Sequence, residues 1–191
     1  MTGRTHDLAA FTSLIAVVAL SPPLSISLST LLLGLLANQI GGIIPDVDQP
    51  TAPFWHNLPI GNIFGKLFGK LSGGHRFITH SLLGVVMFGV AIKASLAFLS
   101  PLLGHTNIGY VWWAFMIGMV SHLLMDCFTK EGIPLLLPIP WHFGIPPVKA
   151  LRLTTGKKIE QFIVFPMLIA LSALLFVSNR LHILQILHTI R

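Results

Sequence analysis

The chain has 191 residues, of which 53% are hydrophobic and 9% are charged, and its formal net charge at pH 7 is +6. Soluble domains carry about 25% charged residues, so this composition excludes an ordinary soluble domain and indicates an integral membrane protein. The single cysteine, Cys127, excludes an intramolecular disulfide.

Five apolar segments, taken in chain order, predict an all-α protein with about five transmembrane helices, since a helix needs about 20 residues to cross a bilayer. The first segment is short, and Pro22-Pro23 follows it. No small-x-small cleavage site precedes the prolines, so we interpret this segment as a retained span and not as a signal peptide. Without a linker or repeat, we expect one domain over residues 1–191. The segments are Leu8–Leu20, Leu24–Ile44, Ser81–Leu99, Ile108–Cys127 and Gln161–Ser178.

The basic residues predict the orientation, because cytoplasmic loops of membrane proteins are enriched in lysine and arginine. With a cytoplasmic N-terminus, nine of the twelve basic residues fall on the cytoplasmic side. The predicted outer connections, Ser21–Pro23 and Ser100–Asn107, contain none. Topology and anionic lipid therefore account for the net charge, and we expect no nucleic-acid partner. The nine residues are Arg4, Lys66, Lys70, Arg76, Lys130, Lys149, Arg152, Lys157 and Lys158.

In this topology the histidines and acids that flank the apolar segments gather at one membrane face. Charged and polar side chains are expensive in a membrane and mark functional sites there. Imidazole and carboxylate together are also the ligand set of hydrolytic metal sites. We therefore predict a metal site at the cytoplasmic helix ends. Its predicted ligands are His6, Asp46, Asp48, His75, His80, His122, Asp126 and Glu160.

Two motifs carry most of this prediction. His122 and Asp126 are four residues apart, so they share a helix face and can chelate one ion or bridge two. Asp46 and Asp48 are two apart in a proline-flanked segment, where they point the same way and repel each other unless a cation lies between them. The alternatives are a polar pair that caps a helix end and an ordinary acidic turn.

The remaining candidates are weaker individually. His75 and His80 precede the third apolar segment, where Thr79 or Ser81 is expected to cap the helix. Arg76 suits a phosphate or a second carboxylate, although it also fits an anchor on the positive side of the membrane. His6 alone is typical of an interfacial residue, and Glu160 alone is typical of surface ion pairs with the basic loop before it.

An apolar run, Ile133–Trp141, is too short to span the membrane. We interpret it as a re-entrant or interfacial segment with Trp141 at head-group level. His142, which follows it, is an ambiguous further ligand.

The order of the motifs resembles the YdjM-like family of bacterial inner-membrane metal-dependent hydrolases. The matching pieces are His6, Pro45-Asp-Val-Asp48-Gln-Pro50, His75-Arg-Phe-Ile-Thr-His80-Ser81, His122-x-x-x-Asp126 and Arg152-x-x-Thr-Gly156-x-x-x-Glu160. The resemblance implies a multi-span protein of the bacterial inner membrane whose His and Asp residues bind metal. The family is in turn distantly similar to zinc-dependent phospholipases C and related single-strand nucleases, which implies a phosphoester substrate. The chain lacks the His-x-x-x-Glu partner motif of those enzymes, because Gly156 stands four residues before Glu160.

These observations favour metal-assisted hydrolysis of a lipid or lipid-linked phosphoester at the membrane surface. Zinc is the leading metal, with manganese and iron as alternatives. A metal-bound water is the expected nucleophile, with Asp46, Asp48 or Glu160 as its base. Arg76 is expected to neutralise developing charge. The competing functions are a metal-ion or proton transporter and a non-catalytic membrane protein with a structural metal.

Overall fold

The computed structural model describes residues 1–21, 26–49, 51–52, 55, 61–71, 76–139 and 141–189. The described chain is helical and contains no β-strand, with two isolated bridges as its extended pairings. The predicted all-α fold is therefore confirmed. Its helices are α1 (Gly3–Leu20), α2 (Leu28–Ile43), α3 (Gly61–Leu71), α4 (Leu82–Leu99), α5 (Ile108–Cys127), α6 (Phe165–Ser178) and α7 (Arg180–Thr189). Short 3₁₀ turns occupy Ile44–Asp48, Ile78–His80, Ser100–Leu102 and Lys149–Leu151, and a π-helical turn occupies Glu160–Val164.

Four helical stretches are long and apolar enough to cross a membrane, which confirms a helical membrane protein. They correspond to the second through fifth predicted segments. Helix α1 has 18 residues but is not among the four. It begins five residues before the predicted segment and carries Arg4, His6 and Asp7 in its first two turns. Its crossing of the membrane, and the cytoplasmic orientation, remain predictions. The four stretches are Leu28–Asp48, Leu82–Leu102, Ile108–Cys127 and Glu160–Ser178.

Side-chain caps fix where three of these helices begin. The hydroxyl of Ser27 accepts a hydrogen bond from the amide of Thr30 at the start of α2. Ser81, one of the two predicted caps, does the same for Gly84 in α4. Asn107 accepts from two amides in the first turn of α5. Each cap satisfies amides that the helix itself leaves without acceptors.

Helices α2 and α5 approach each other closely because glycines face backbone across their interface. A Cβ at Gly41 would lie 2.1 Å from the carbonyl oxygen of Phe115, and one at Gly118 would lie 2.0 Å from that of Asn38. The buried Asn38 amide donates to the carbonyl of Ala114 at 3.1 Å. Small residues and polar cross-links of this kind hold membrane helices together. This contact fixes the register that brings the end of α2 beside the end of α5.

Helix α1 packs between α5 and α6, and its polar residues Thr5, His6 and Thr12 are buried. Thr12 and Ser172 share a hydrogen bond of 2.7 Å between α1 and α6. Ala9 packs in one apolar cluster with Val164 and Leu168, from the π turn and α6. The first turns of α1 therefore lie at the same end of the bundle as the last turn of α5.

Candidate metal centre

Five predicted ligands meet at this end of the bundle. His6 comes from α1, Asp46 from the 3₁₀ turn after α2, His80 from the turn before α4, and His122 and Asp126 from the last turns of α5. They form two groups, His6–His122–Asp126 and Asp46–His80–His122. Within each group all the ligand atoms lie within 4.8 Å of one another. We refer to these five residues as the His/Asp cluster.

His122 belongs to both groups, and its ring orientation is set by the backbone. Its Nδ1 lies 2.6 Å from the carbonyl oxygen of Gly42, to which a proton on Nδ1 is donated. The Nε2 lone pair then faces the carboxylates, 3.6 Å from Asp46 Oδ1 and 3.9 Å from Asp126 Oδ2. This Nε2 is buried and makes no hydrogen bond to any described residue. A backbone carbonyl that accepts from the other ring nitrogen, and so fixes the tautomer, usually accompanies a metal-binding histidine.

Asp126 lies between the two groups and offers one oxygen to each side. Its Oδ1 is 3.3 Å from His6 Nε2, and its Oδ2 is 3.5 Å from His80 Nε2. The Met1 amino group also contacts Oδ1. The rings of His6 and His122 stack, with centroids 3.6 Å apart and planes 10° from parallel. Asp126 thus has the position of a carboxylate that could bridge two ions.

The spacing of these atoms fits metal coordination. Two ligands bound at about 2.1 Å to a tetrahedral ion lie about 3.4 Å apart. The nitrogen–oxygen separations in the cluster run from 3.3 Å to 3.9 Å. Such distances are too long for good hydrogen bonds and too short for unrelated side chains. The donor set and its spacing therefore suit a divalent ion, and a small contraction would close the cluster around it.

The cluster opens at one edge. The side chains of His80, His122 and Asp126 are fully buried, whereas that of Asp46 is 22% exposed. Trp55 fixes the turn that carries Asp46, because its indole donates to the carbonyl of Val47 at 2.9 Å. Helix α3 lies against this tryptophan through Gly65. Among the described residues, the accessible edge of the cluster is therefore the one formed by Asp46.

Asp48 supports the cluster from behind. Its Oδ2 accepts hydrogen bonds from the Arg76 amide at 2.9 Å and from the Thr79 hydroxyl, and it lies 3.6 Å from His80 Nδ1. The Thr79 hydroxyl also lies 3.0 Å from His80 Nδ1. Burial lowers the pKa of His80, but the neighbouring carboxylates of Asp126 and Asp48 outweigh it and raise that pKa above the usual histidine value. Asp48 is thus placed to orient His80.

Arg76 is placed to orient Asp126. Its Nη2 lies 2.8 Å from Asp126 Oδ2, and its Nη1 donates to the Thr129 hydroxyl at 2.9 Å and the Gly132 carbonyl at 3.3 Å. The backbone of Arg76 has φ of 60°, a left-handed conformation that a non-glycine residue adopts at an energetic penalty. These contacts hold the strained residue so that a planar cation faces the central carboxylate of the cluster.

Glu160 lies outside both groups. Its Oε1 accepts hydrogen bonds from the Thr2 amide at 2.6 Å and from the Thr2 and Thr5 hydroxyls, while its Oε2 accepts from the Gly156 amide at 2.7 Å. The carboxylate therefore ties the start of α1 to the loop before α6. We refer to Thr2, Thr5, Gly156 and Glu160 as the Glu160 clasp. His75, the remaining predicted ligand, lies outside the described residues.

Sequence reasoning missed the groups that orient the ligands. The Gly42 carbonyl carries no side-chain signal, and Thr5 is remote from Glu160 along the chain. Thr79, proposed only as a helix cap, contacts both Asp48 and His80. The position of Thr79 directly before the candidate ligand His80 was the one sequence feature that could have indicated this contact.

Comparison with known proteins identifies a family. A family model described as "YdjM inner membrane protein" matches residues 1–184. Inner membrane protein YdjM of Escherichia coli strain K12 is 31% identical over 126 residues, which cover 63% of the chain and 56% of that protein. The YdjM protein of Shigella flexneri matches to the same extent. The chain thus matches little more than half the length of these two relatives.

A protein from Bacillus subtilis strain 168, named uncharacterized protein YvsG, is 29% identical over 168 residues. This alignment covers 85% of the chain and 87% of YvsG. No solved structure matches the chain at a significant level.

Proposed function

The chain belongs to the YdjM inner membrane protein family, and from that premise we propose that it is a metal-dependent hydrolase whose active site is the His/Asp cluster. The observation that carries the proposal is the pair of ligand groups sharing His122, with Asp126 between them. A protein that needed only a folded bundle would not concentrate imidazoles and carboxylates in one buried place, because isolated polar groups there are costly.

Zinc is the proposed ion, since three imidazoles and two carboxylates suit it, and manganese or iron fit less closely. His6, His80, His122, Asp46 and Asp126 would hold it. A divalent ion bound there acts as a Lewis acid that activates water and polarises a phosphoryl oxygen.

Proton transfer and the positioning of the ligands are assigned to side chains of the protein. Asp46 stands at the open edge, so it is placed to take a proton from a water that enters with the substrate. Asp48 holds His80, and Arg76 holds Asp126, so both act by keeping ligands in position. The oxygens of Glu160 are engaged in the Glu160 clasp, so we assign this residue to the support of α1 and not to proton transfer.

A transporter is less well supported by the packing beneath the cluster. A transport path needs polar groups or water through the middle of the membrane. Phe115 and Met119 lie two turns and one turn below His122 on α5, and both are almost completely buried in an apolar cluster with Leu123. Among the described residues, this apolar layer separates the His/Asp cluster from the opposite end of the bundle.

The proposed substrate is a lipid or lipid-linked phosphoester. The cluster lies at the ends of membrane-length helices, where the head groups of lipids would meet it. The nearby segment 133–148 presents exposed apolar side chains, among them Ile139, Trp141 and Ile145, and Arg152 holds it in shape by donating to the carbonyls of Pro146 and Pro147. Such a surface is suited to the interface of a bilayer. The phosphoester itself is proposed from the motif resemblance to zinc-dependent phospholipases C.

The test is hydrolysis of phosphatidic acid and other lipid phosphoesters by the purified full chain in lipid nanodiscs. Phosphate or head-group release is measured after chelation, and again after zinc, manganese or iron is restored. We expect turnover to disappear on chelation and to return with zinc. The matched variant is Asp46→Asn, which keeps the shape of a partly exposed residue and removes its charge. Because Asp46 is also a proposed ligand, this variant is assayed at saturating zinc, and turnover per bound zinc should fall.

Equal turnover with and without metal would refute the proposed chemistry. A metal that binds but supports no turnover on any phosphoester, with four protein ligands around it, would identify a structural site instead. Zinc content by elemental analysis of the same samples distinguishes the two results.

A further inference from the structure

A second cavity lies on another face of α1, beside the His/Asp cluster but separate from it. It is a groove of about 540 Å³ between α1, α2 and α6. Its residues on α1 are spaced three and four apart, so they share one helix face, while the buried His6 points from a different face. The groove is lined by Arg4, Asp7, Leu8, Phe11, Leu35, Gln39 and Phe165.

The lining changes from polar to apolar along the groove. Arg4 lies at the end where α1 begins, and Asp7 lies beside Gln39, whose side-chain amide is 3.4 Å from the Asp7 carbonyl oxygen. Phe11 and Leu35 follow one turn deeper on their helices. The groove is therefore polar at the membrane face that holds the metal centre and apolar toward the middle of the bilayer, which is the polarity of a lipid molecule.

Two opposite charges at the polar end are not paired with each other. Arg4 and Asp7 are three residues apart on a helix, a spacing that permits an ion pair. In the part of the chain that the structure describes, the Arg4 side chain is exposed and makes neither an ion pair nor a hydrogen bond. Asp7 also lines the groove, and its side chain makes no ion pair with a described residue.

We propose that this groove binds one phospholipid whose head group carries both a phosphate and a primary ammonium, the phosphatidylethanolamine class. The guanidinium of Arg4 suits the phosphate, and the negative charge of Asp7, which lines the same end of the groove, suits the ammonium. One acyl chain lies along Leu8, Phe11 and Leu35. The groove has the size of known ligand sites, which run from about 300 to 1,000 Å³. This lipid site does not depend on the proposed hydrolysis, because no member of the His/Asp cluster lines it.

The test uses the full chain in nanodiscs of phosphatidylcholine that contain a small fraction of a probe lipid. Three probes carry the same photoreactive diazirine acyl chain, on phosphatidylethanolamine, phosphatidylcholine or phosphatidylglycerol. Mass spectrometry locates the cross-links after illumination. We expect the phosphatidylethanolamine probe to label residues 8–11 and 35 about tenfold more than the other two, the difference made by one hydrogen bond to a charged group.

Three variants test which residues recognise the head group and whether the acyl chain occupies the groove. Arg4→Gln and Asp7→Asn should each remove most of this head-group preference, and Arg4 is exposed, so its substitution leaves the packing intact. Leu35→Trp should fill the groove and abolish its labelling. The control, Leu174→Trp, changes an exposed side chain on α6 outside the groove and should leave the labelling unchanged.

Three results would each overturn the proposal. They are equal labelling by all three probes, labelling of the exposed apolar faces of α4 and α6 as strong as that of the groove, and a preference that survives both Arg4→Gln and Asp7→Asn. Zinc content, measured in parallel, reports on the metal centre independently of any of them.

Discussion

The His/Asp cluster and the Glu160 clasp both bury a carboxylate at the same end of the bundle, and their surroundings differ. Both oxygens of Glu160 accept hydrogen bonds, from two amides and two hydroxyls. Asp126 contacts the Met1 amino group through one oxygen and the Arg76 guanidinium through the other, and it also faces three imidazoles at distances too long for good hydrogen bonds. The donors around Glu160 satisfy its carboxylate without an ion, whereas the imidazoles around Asp126 stand at the spacing of metal ligands.

The comparison teaches how to separate a structural acid from a metal ligand within one membrane protein. Burial alone does not distinguish the two carboxylates, because Glu160 and Asp126 are both almost inaccessible. The chemistry of the neighbouring atoms distinguishes them. If this distinction is correct, substitutions in the two regions should affect metal affinity very differently, and their order should follow their distance from the ligand atoms.

The largest effect on metal affinity is expected for Asp126→Asn. This change keeps the shape of the side chain and removes the negative charge that faces His6 of one ligand group and His80 of the other, so zinc affinity should fall by roughly 100-fold or more. Competition with a chelating dye measures the affinity, and circular dichroism verifies that the helices persist. Zinc affinity within about twofold of the unsubstituted protein would remove Asp126 from the ligand set.

A smaller loss, of about tenfold, is expected for Arg76→Lys. Lysine keeps the charge, but its single ammonium cannot contact Asp126, Thr129 and Gly132 together as the planar guanidinium does. Isothermal titration with zinc gives the affinity. The companion variant Arg76→Gly relieves the left-handed backbone and removes the cation, so it should bind zinc at least as poorly as Arg76→Lys. Stronger binding by the glycine variant would contradict the orienting role.

Thr79→Val should weaken zinc binding by about fivefold, the equivalent of one net hydrogen bond of about 1 kcal/mol. Valine has nearly the same shape but cannot donate to Asp48 or contact His80 Nδ1. The control is Thr12→Val, which removes a buried hydroxyl that bonds Ser172 far from the cluster. The same titration applied to both should show a loss for Thr79 alone.

The smallest effect on metal affinity is expected for Glu160→Gln. Zinc binding should stay within about twofold of that of the unsubstituted protein, while the free energy of unfolding falls by about 1–3 kcal/mol because charged hydrogen bonds are lost. Denaturant titration in detergent micelles measures the stability, with Thr5→Val, which removes one donor, as the graded comparison. Loss of zinc without loss of stability would place Glu160 among the ligands and erase the contrast between the two regions.

The transmembrane framework was predictable from sequence because a bilayer selects long apolar segments directly. The predicted Ile108–Cys127 segment coincides with α5, and the predicted Gln161–Ser178 segment differs from the observed span by one residue. The start of α1 was placed five residues late. Its first turns contain the polar residues Arg4, His6 and Asp7. In the sequence these residues resemble a polar segment that precedes a helix, but in the structure they belong to the helix.

The candidate site was predictable where ligands are close in sequence or follow from topology. His122 and Asp126 share a helix face by spacing, and the basic residues indicated which segment ends lie together. The placement of Glu160 was not predictable, because Thr2 is 158 residues away and its amide gives no signal in the sequence. A carboxylate that is held by backbone donors looks the same in sequence as one that holds a metal.

The position of Asp46 has a consequence for how the protein acquires its ion. Of the five residues in the His/Asp cluster, it alone has an appreciably exposed side chain, and the turn that carries it is fixed by Trp55. Among the described residues, an ion held by the cluster would therefore enter and leave past one carboxylate. Exchange through such a narrow opening would be slow, so the metal bound in a mature molecule would depend more on the ions available during assembly than on a later buffer.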